Sequence, residues 1–325
     1  MESADTQPRD LLAFKSPKPE RFMDWRPEGI RIMAIFYIVL GHMLLYTDYL
    51  TNDARNPLVW IAGVAIAFFI ACSGYVHSLK DEFNKPGSLS LSRYWKFIKN
   101  RILHLYIGYY IALVVILIAK GCAGYTIIYD PSKLVFGATN PIVISPGSLV
   151  LDLTCMWPLV TGLLGGIWPE GWFVCAIMIL SLAYPFLRRL NSMNKNYMYF
   201  IIIVAVVCTI LVIFFSNPYY AYHFPFAWTA EFSLGIMLGN KICMKGGPAP
   251  PTALYKQIII RMATRVWPIY LFHIAAIVFM PPFASLQDFI ITIIVIVILV
   301  EFFVRILHDI NDLIGGKKKK NHRTG

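Results

Sequence analysis

Charge is scarce in this chain. Of 325 residues, 14% are Asp, Glu, Lys or Arg and 58% are hydrophobic, with a mean hydropathy of +0.61. Soluble domains carry nearer a quarter of their residues charged, so a soluble globular core is excluded. Period-two alternation is also missing. Ile111–Ala119, Tyr199–Phe215 and Phe289–Val300 are continuous apolar runs. That excludes barrel strands and leaves helices, which satisfy their own backbone in lipid. No CxxC pair occurs among Cys72, Cys122, Cys155, Cys175, Cys208 and Cys243. These thiols read as small buried hydrophobes rather than disulfides or metal ligands. The polar first 25 residues do not have the form of a cleavable signal.

What is present is a series of helical crossings, expected near 30–50, 57–79, 100–119, 171–188, 198–216, 222–240, 264–281 and 285–307. The net charge of +11 is distributed along them with a bias. If the chain starts inside, every basic residue falls on the inner side except Arg55, Lys120 and Lys133. This satisfies the positive-inside rule with both termini cytoplasmic. The basic excess then serves topology and anionic lipid, and no nucleic-acid partner is implied. Segment 121–170 is rich in proline and glycine, and 142–167 is apolar enough to enter the membrane as a re-entrant hairpin or two short spans. The expected architecture is an all-α polytopic bundle of eight to ten spans. It comprises a flexible leader (1–27), one transmembrane domain (28–308) and a basic tail (309–325) containing Lys317–Lys320.

Two ionisable residues mark the first span. Arg31 and His42 are eleven apart, about three turns, so they share a helix face and lie roughly 16 Å apart along the axis. An imidazole near mid-membrane above a guanidinium at its edge is costly, and such groups are functional candidates by default. His42 reads as a general base, since a neutral imidazole accepts a hydroxyl or amine proton; an interhelical hydrogen bond is the plainer alternative. His273 is the second deep histidine. His77, His104, His223 and His308 fall at helix ends and read as caps.

Arg31 and Glu28 form an i, i+3 pair, either a surface anchor or an inward grip on an anionic ligand. Arg93, Lys96, Lys99 and Arg101 gather on the same side. Ser73-Gly74 suits close helix packing. Glu231 is deep and needs a partner, for which a histidine or arginine is the candidate. Glu301 and Arg305 read as a structural i, i+4 pair.

Several segments resemble the acyltransferase-3 family of multi-spanning membrane acyltransferases. Glu28-Gly-Ile-Arg31 through Gly41-His42 is similar to its Arg-x10-His signature, and Phe68-Phe69-Ile-Ala-Cys-Ser73-Gly74-Tyr75 to its Phe-Phe-x-x-Ser-Gly-Phe segment. Arg101-Ile-Leu-His-Leu-Tyr resembles the basic start of its third helix. Gly171-Trp172-Phe173 through Tyr184-Pro185, Gly235 through Gly239, and Tyr270-Leu-Phe-His273 resemble later motifs in order. The resemblance spans about 24–306.

It implies acyl transfer, typically of acetyl, from a cytoplasmic acyl-CoA such as acetyl-CoA to a hydroxyl or amine of a carbohydrate or lipid-linked glycan. His42 would be catalytic, Arg31 and Arg101 would bind the donor, and Ser73 and Gly74 would shape the pathway, in a multi-pass cell-membrane protein with no permanently bound cofactor. Direct transfer and an acyl-His42 intermediate both stay open. The chain departs from the family in one respect: the carboxylate that a subgroup carries five residues after its tryptophan is Ile177 here. The aromatics Trp157, Trp168, Trp172, Tyr125 and Tyr129 would suit sugar stacking or an interfacial belt. The alternative function is a proton-coupled secondary transporter relaying through His42, Glu231 and His273, although no internal repeat supports it.

Overall fold

The computed structural model of the chain describes residues 23–45, 57–79, 90–129, 142–160, 167–215, 218–245, 248, 251–279 and 286–314. The long helices are α1 (Trp25–Leu45), α2 (Pro57–Ser78) and α3 (Leu91–Cys122). Two three-residue strands follow, β1 (Ile127–Tyr129) and β2 (Ile142–Ile144), paired in parallel. Then come the short helices α4 (Pro146–Thr154) and α5 (Trp157–Val160), a 3-10 turn Pro169–Gly171, and the long α6 (Trp172–Met193) and α7 (Lys195–Phe215). The rest is α8 (Pro218–His223), a 3-10 turn Pro225–Trp228, α9 (Thr229–Met244), α10 (Leu254–Ala263), α11 (Val266–Phe279) and α12 (Leu286–Ile314).

Each of the eight expected crossings falls on a helix. Six helices (α1, α2, α3, α6, α7 and α12) are long and apolar enough to span a bilayer. The crossings expected at 222–240 and 264–281 are shorter, at 16 and 14 residues. α10 and α11 together pass as a seventh span bent by 52°. Arg265, at that bend, donates to Glu301 of α12 at 2.9 Å, so Glu301 holds a neighbouring element as well as lying one turn from Arg305.

Local chemistry sets where helices begin. Asp24 accepts the Arg26 amide at 3.1 Å and so caps α1, while Pro27 sits in the first turn, where a missing N–H costs nothing. That start moves α1 five residues earlier than expected. His42 therefore lies in its last described turn rather than mid-helix. The end at which α1 begins is called the lower end here, and the opposite one the upper end.

Backbone approach decides the packing of α2 on α9. A Cβ on Gly74 would overlap the Phe232 carbonyl, and one on Gly235 the Ala71 carbonyl. A Cβ on Gly239 would overlap the Ser78 hydroxyl. This is the small-residue contact by which helices associate in lipid. α11 is the central element, with Leu271, Phe272, His273, Ile274 and Ala276 fully buried among α1, α3 and α12. α7 lies outermost: of its side chains only Met198 is buried, and Phe200, Ile203 and Phe214 face outward as lipid-facing residues do.

Among the described residues of 121–170 no helix exceeds nine residues, so the ten-span alternative finds no further span there. The segment caps the upper end. Tyr106, Tyr109 and Tyr110 of α3 donate to the carbonyls of Thr154 (2.6 Å), Asp152 (2.5 Å) and Leu153 (3.0 Å). The Leu153 and Thr154 carbonyls thereby gain partners that the helix does not supply, and the Asp152 carbonyl gains a second donor beside the Cys155 amide.

Candidate active site

His42 and His273 meet across the α1–α11 contact, His42 Nδ1 lying 3.1 Å from His273 Nε2. The acceptors around them fix the tautomers. His273 Nδ1 approaches the carbonyls of Tyr270 (2.7 Å) and Ile269 (3.2 Å), and carbonyls only accept, so Nδ1 carries the proton. His273 Nε2 is then an acceptor, and His42 Nδ1–H donates to it. A neutral His42 ring thus keeps its lone pair on Nε2. The Ile38 carbonyl, one turn back on α1, also lies at the His42 ring. Packing holds the pair: His273 is fully buried and Tyr270 stands 5.8 Å from it, centre to centre.

At the lower end Arg31 pairs with buried Glu28 at 2.9 Å and lies over the Phe69 ring at 5.2 Å. It faces the bundle, near enough to act electrostatically on Cys72 and Arg101. Arg101 is the one member of its basic run to turn inward; Arg93, Lys96 and Lys99 are exposed. Its guanidinium meets the His77 ring. His77 Nδ1 donates to the Ser73 carbonyl at 2.7 Å, so Nε2 faces Arg101 as an acceptor. The Nε groups of Arg31 and Arg101 are both buried without a hydrogen-bond partner. Unused guanidinium N–H donors are the chemistry that suits a carboxylate or phosphate oxygen.

Ser73 therefore serves through its carbonyl, and Gly74 through the α2–α9 contact. Asp24, not singled out by the sequence, ties this end together. It accepts Tyr75 Oη at 2.5 Å and the Arg26 guanidinium at 2.8 Å. Burial acts to raise its carboxyl, but those bonds outweigh it and hold the group below the usual carboxylate range.

Glu231 is not brought to the histidines. It sits in the first turn of α9 with Oε2 buried and unpartnered, and no hydrogen bond or ion pair joins it to His42 or His273. A carboxylate there gains from the helix N-terminus instead, and the three-residue relay is not assembled. His77, expected as a cap, is a partner of Arg101; the Phe68–Gly74 segment just before it was the available signal.

The upper cap is buried and aromatic. Trp168 stacks on Tyr109 at 5.4 Å and 21°, Trp172 on Trp228 at 6.2 Å and 25°, and Trp157 donates to Asp152 at 2.8 Å. These tryptophans wall the cap rather than form an open stacking surface, and the Tyr129 side chain lies outside the described residues. Burial pushes the Asp152 carboxyl up to about 6, against the opposing pull of Trp157, the Ile167 amide and Lys120. All six cysteines are free thiols, and among the described residues no cluster suits a metal ion.

Residues 24–245 match the family model of the acyltransferase-3 family, an acyltransferase domain. The chain belongs to that family. No curated protein and no solved structure matches it. The matched range covers the Arg31–His42 helix, Arg101 and the α2–α9 contact; His273 lies beyond it.

Proposed function

We propose that this membrane acyltransferase moves an acyl group, acetyl first among candidates, from a cytoplasmic acyl-CoA to a hydroxyl or amine of a carbohydrate or lipid-linked glycan. The reading takes the lower end as cytoplasmic, both termini with it, and the cell membrane as its location. The observation that carries it is the His42–His273 pair, which leaves the lone pair of a neutral His42 on Nε2, some 16 Å along α1 from Arg31.

Donor phosphates would sit against Arg31 and Arg101, and the pantetheine arm would run up α1 toward His42. His42 Nε2 takes the acceptor proton as the acceptor oxygen or nitrogen bonds to the thioester carbonyl carbon. The C–S bond then breaks, and the leaving thiolate recovers the proton from His42. Until the thiolate takes that proton back, the charge formed on His42 is shared with His273 through the Nδ1–H bond.

The mass profile of cell-surface glycans from cells with and without this protein tests the reading. The expected result is one acyl mass lost from a defined glycan on removal. An unchanged profile, with the protein present in the wild-type membrane, contradicts it.

A further inference from the structure

Glu170 received no role from the sequence. It lies in the 3-10 turn Pro169–Gly171 that leads into α6, two residues before Trp172. Tyr270 Oη donates to the Glu170 carbonyl at 2.5 Å. The Tyr270 carbonyl in turn accepts His273 Nδ1–H at 2.7 Å, and His273 Nε2 accepts His42 Nδ1–H at 3.1 Å. One chain of contacts thus fixes the turn carrying Glu170 relative to the histidine pair. The turn lies against Tyr109 and Trp168, whose rings a Cβ on Gly171 would meet at an ordinary contact distance of 3.4 Å. The Glu170 carboxylate is close enough to act electrostatically on His42, Lys120 and Tyr270.

From this arrangement we infer that Glu170 is the positioning carboxylate of the acyl-transfer site, the counter-charge to the imidazolium formed on His42. The inference rests on the acyl-transfer reading above. The acid stands on the turn that leads into α6 rather than on a helix. The physical reason is direct. As His42 takes the acceptor proton, a cation appears in a buried, low-dielectric place, where a fixed negative charge stabilises it far more than in water.

Lys120 of α3 lies within electrostatic reach of Glu170. It is itself buried and anchored by its ammonium to the Ile167 carbonyl at 2.8 Å. The other groups near the pair are few among the described residues. α11 brings His273 and Tyr270. α2 and α10, which also pack on α1, place Cys72 beside Arg31 and Lys256 over Trp25, both nearer the lower end.

The test uses the full chain in membrane vesicles, as wild type, Glu170→Gln, Glu170→Asp and His42→Ala. Two properties are read. The first is the pH profile of diethyl pyrocarbonate modification at His42, followed on its peptide by mass spectrometry. The second is transfer of radiolabelled acetyl from acetyl-CoA to the glycan fraction. In Glu170→Gln the modification profile should move acid-ward by about one pH unit, and turnover should fall ~10–100-fold with the donor KM unchanged.

Glu170→Asp, which keeps the charge at a longer reach, should fall between the two and serves if the Gln variant does not fold. A Glu170 variant with the wild-type profile and turnover, while His42→Ala is inactive, overturns the inference. A moved profile in vesicles whose wild type transfers no acetyl overturns the acyl-transfer reading and leaves the coupling between Glu170 and His42 intact.

Discussion

The Tyr270 carbonyl, 2.7 Å from His273 Nδ1, determines which nitrogen of His273 faces His42. By taking the Nδ1 proton it leaves Nε2 as an acceptor, and the His42 ring is oriented as a result. Replacing His273 by Ala removes that acceptor while leaving His42 in place. Turnover should drop ~10–100-fold, less than in His42→Ala. The double variant should be no slower than His42→Ala alone, because residues acting as a unit are not additive. Transfer rates of the three variants check this.

The lower-end guanidiniums predict a binding phenotype. Arg101→Lys keeps the charge but loses the planar fork that meets the His77 ring and, in the proposed role, donor phosphate oxygens. The donor KM should rise about tenfold with kcat little changed, and Arg31→Lys should behave alike. Initial rates against acyl-CoA concentration read both constants. An unchanged KM would leave these arginines as helix anchors.

Close approach of α2 and α9 predicts a stability phenotype. Gly235→Val places side-chain atoms where the Ala71 carbonyl stands and should cost about 1–3 kcal/mol. Gly121→Ala, which meets nothing within 4 Å, is the neutral comparison. Thermal unfolding in detergent should separate the two.

Asp152 predicts a pH dependence of the upper cap. Its carboxyl, raised by burial to about 6, binds its proton more tightly folded than unfolded. The stability this contributes is complete below the ordinary carboxylate range and is lost as pH rises through about 6. Wild-type protein should therefore melt at lower temperature at pH 7.5 than at pH 5. Asp152→Asn keeps an oxygen for Trp157 Nε1 and the Ile167 amide and should flatten that difference. Melting temperatures of both proteins across this range decide it.

Much of this was legible in the sequence, for identifiable reasons. Continuous apolar runs marked every long helix, because lipid permits few other spanning elements. The eleven-residue spacing put Arg31 and His42 on one face, because helical periodicity is local. The partnership of His42 with His273 was not legible: the two are 231 residues apart in sequence, and only the α1–α11 contact joins them. Glu231 misled because depth in a hydrophobic run does not specify the face, and it falls in the first turn of α9, where the helix N-terminus favours a carboxylate. His77 and Arg101 are each ordinary near a helix end, and only the α2–α3 arrangement turns them toward one another. Glu170 lies in a short turn with no periodicity at all. Segment 121–170 was ambiguous because a cap buried under tyrosine hydroxyls and tryptophans is as apolar as a span.

The central claim is that the His42 imidazole removes the acceptor proton. The most direct measurement is the single-turnover transfer of radiolabelled acetyl from acetyl-CoA to glycan in vesicles holding equal amounts of folded wild-type or His42→Ala protein. The account predicts label on the glycan with wild type and a loss of at least about a hundredfold in the variant, with acetyl-CoA binding retained. Transfer by His42→Ala at the wild-type rate would contradict it.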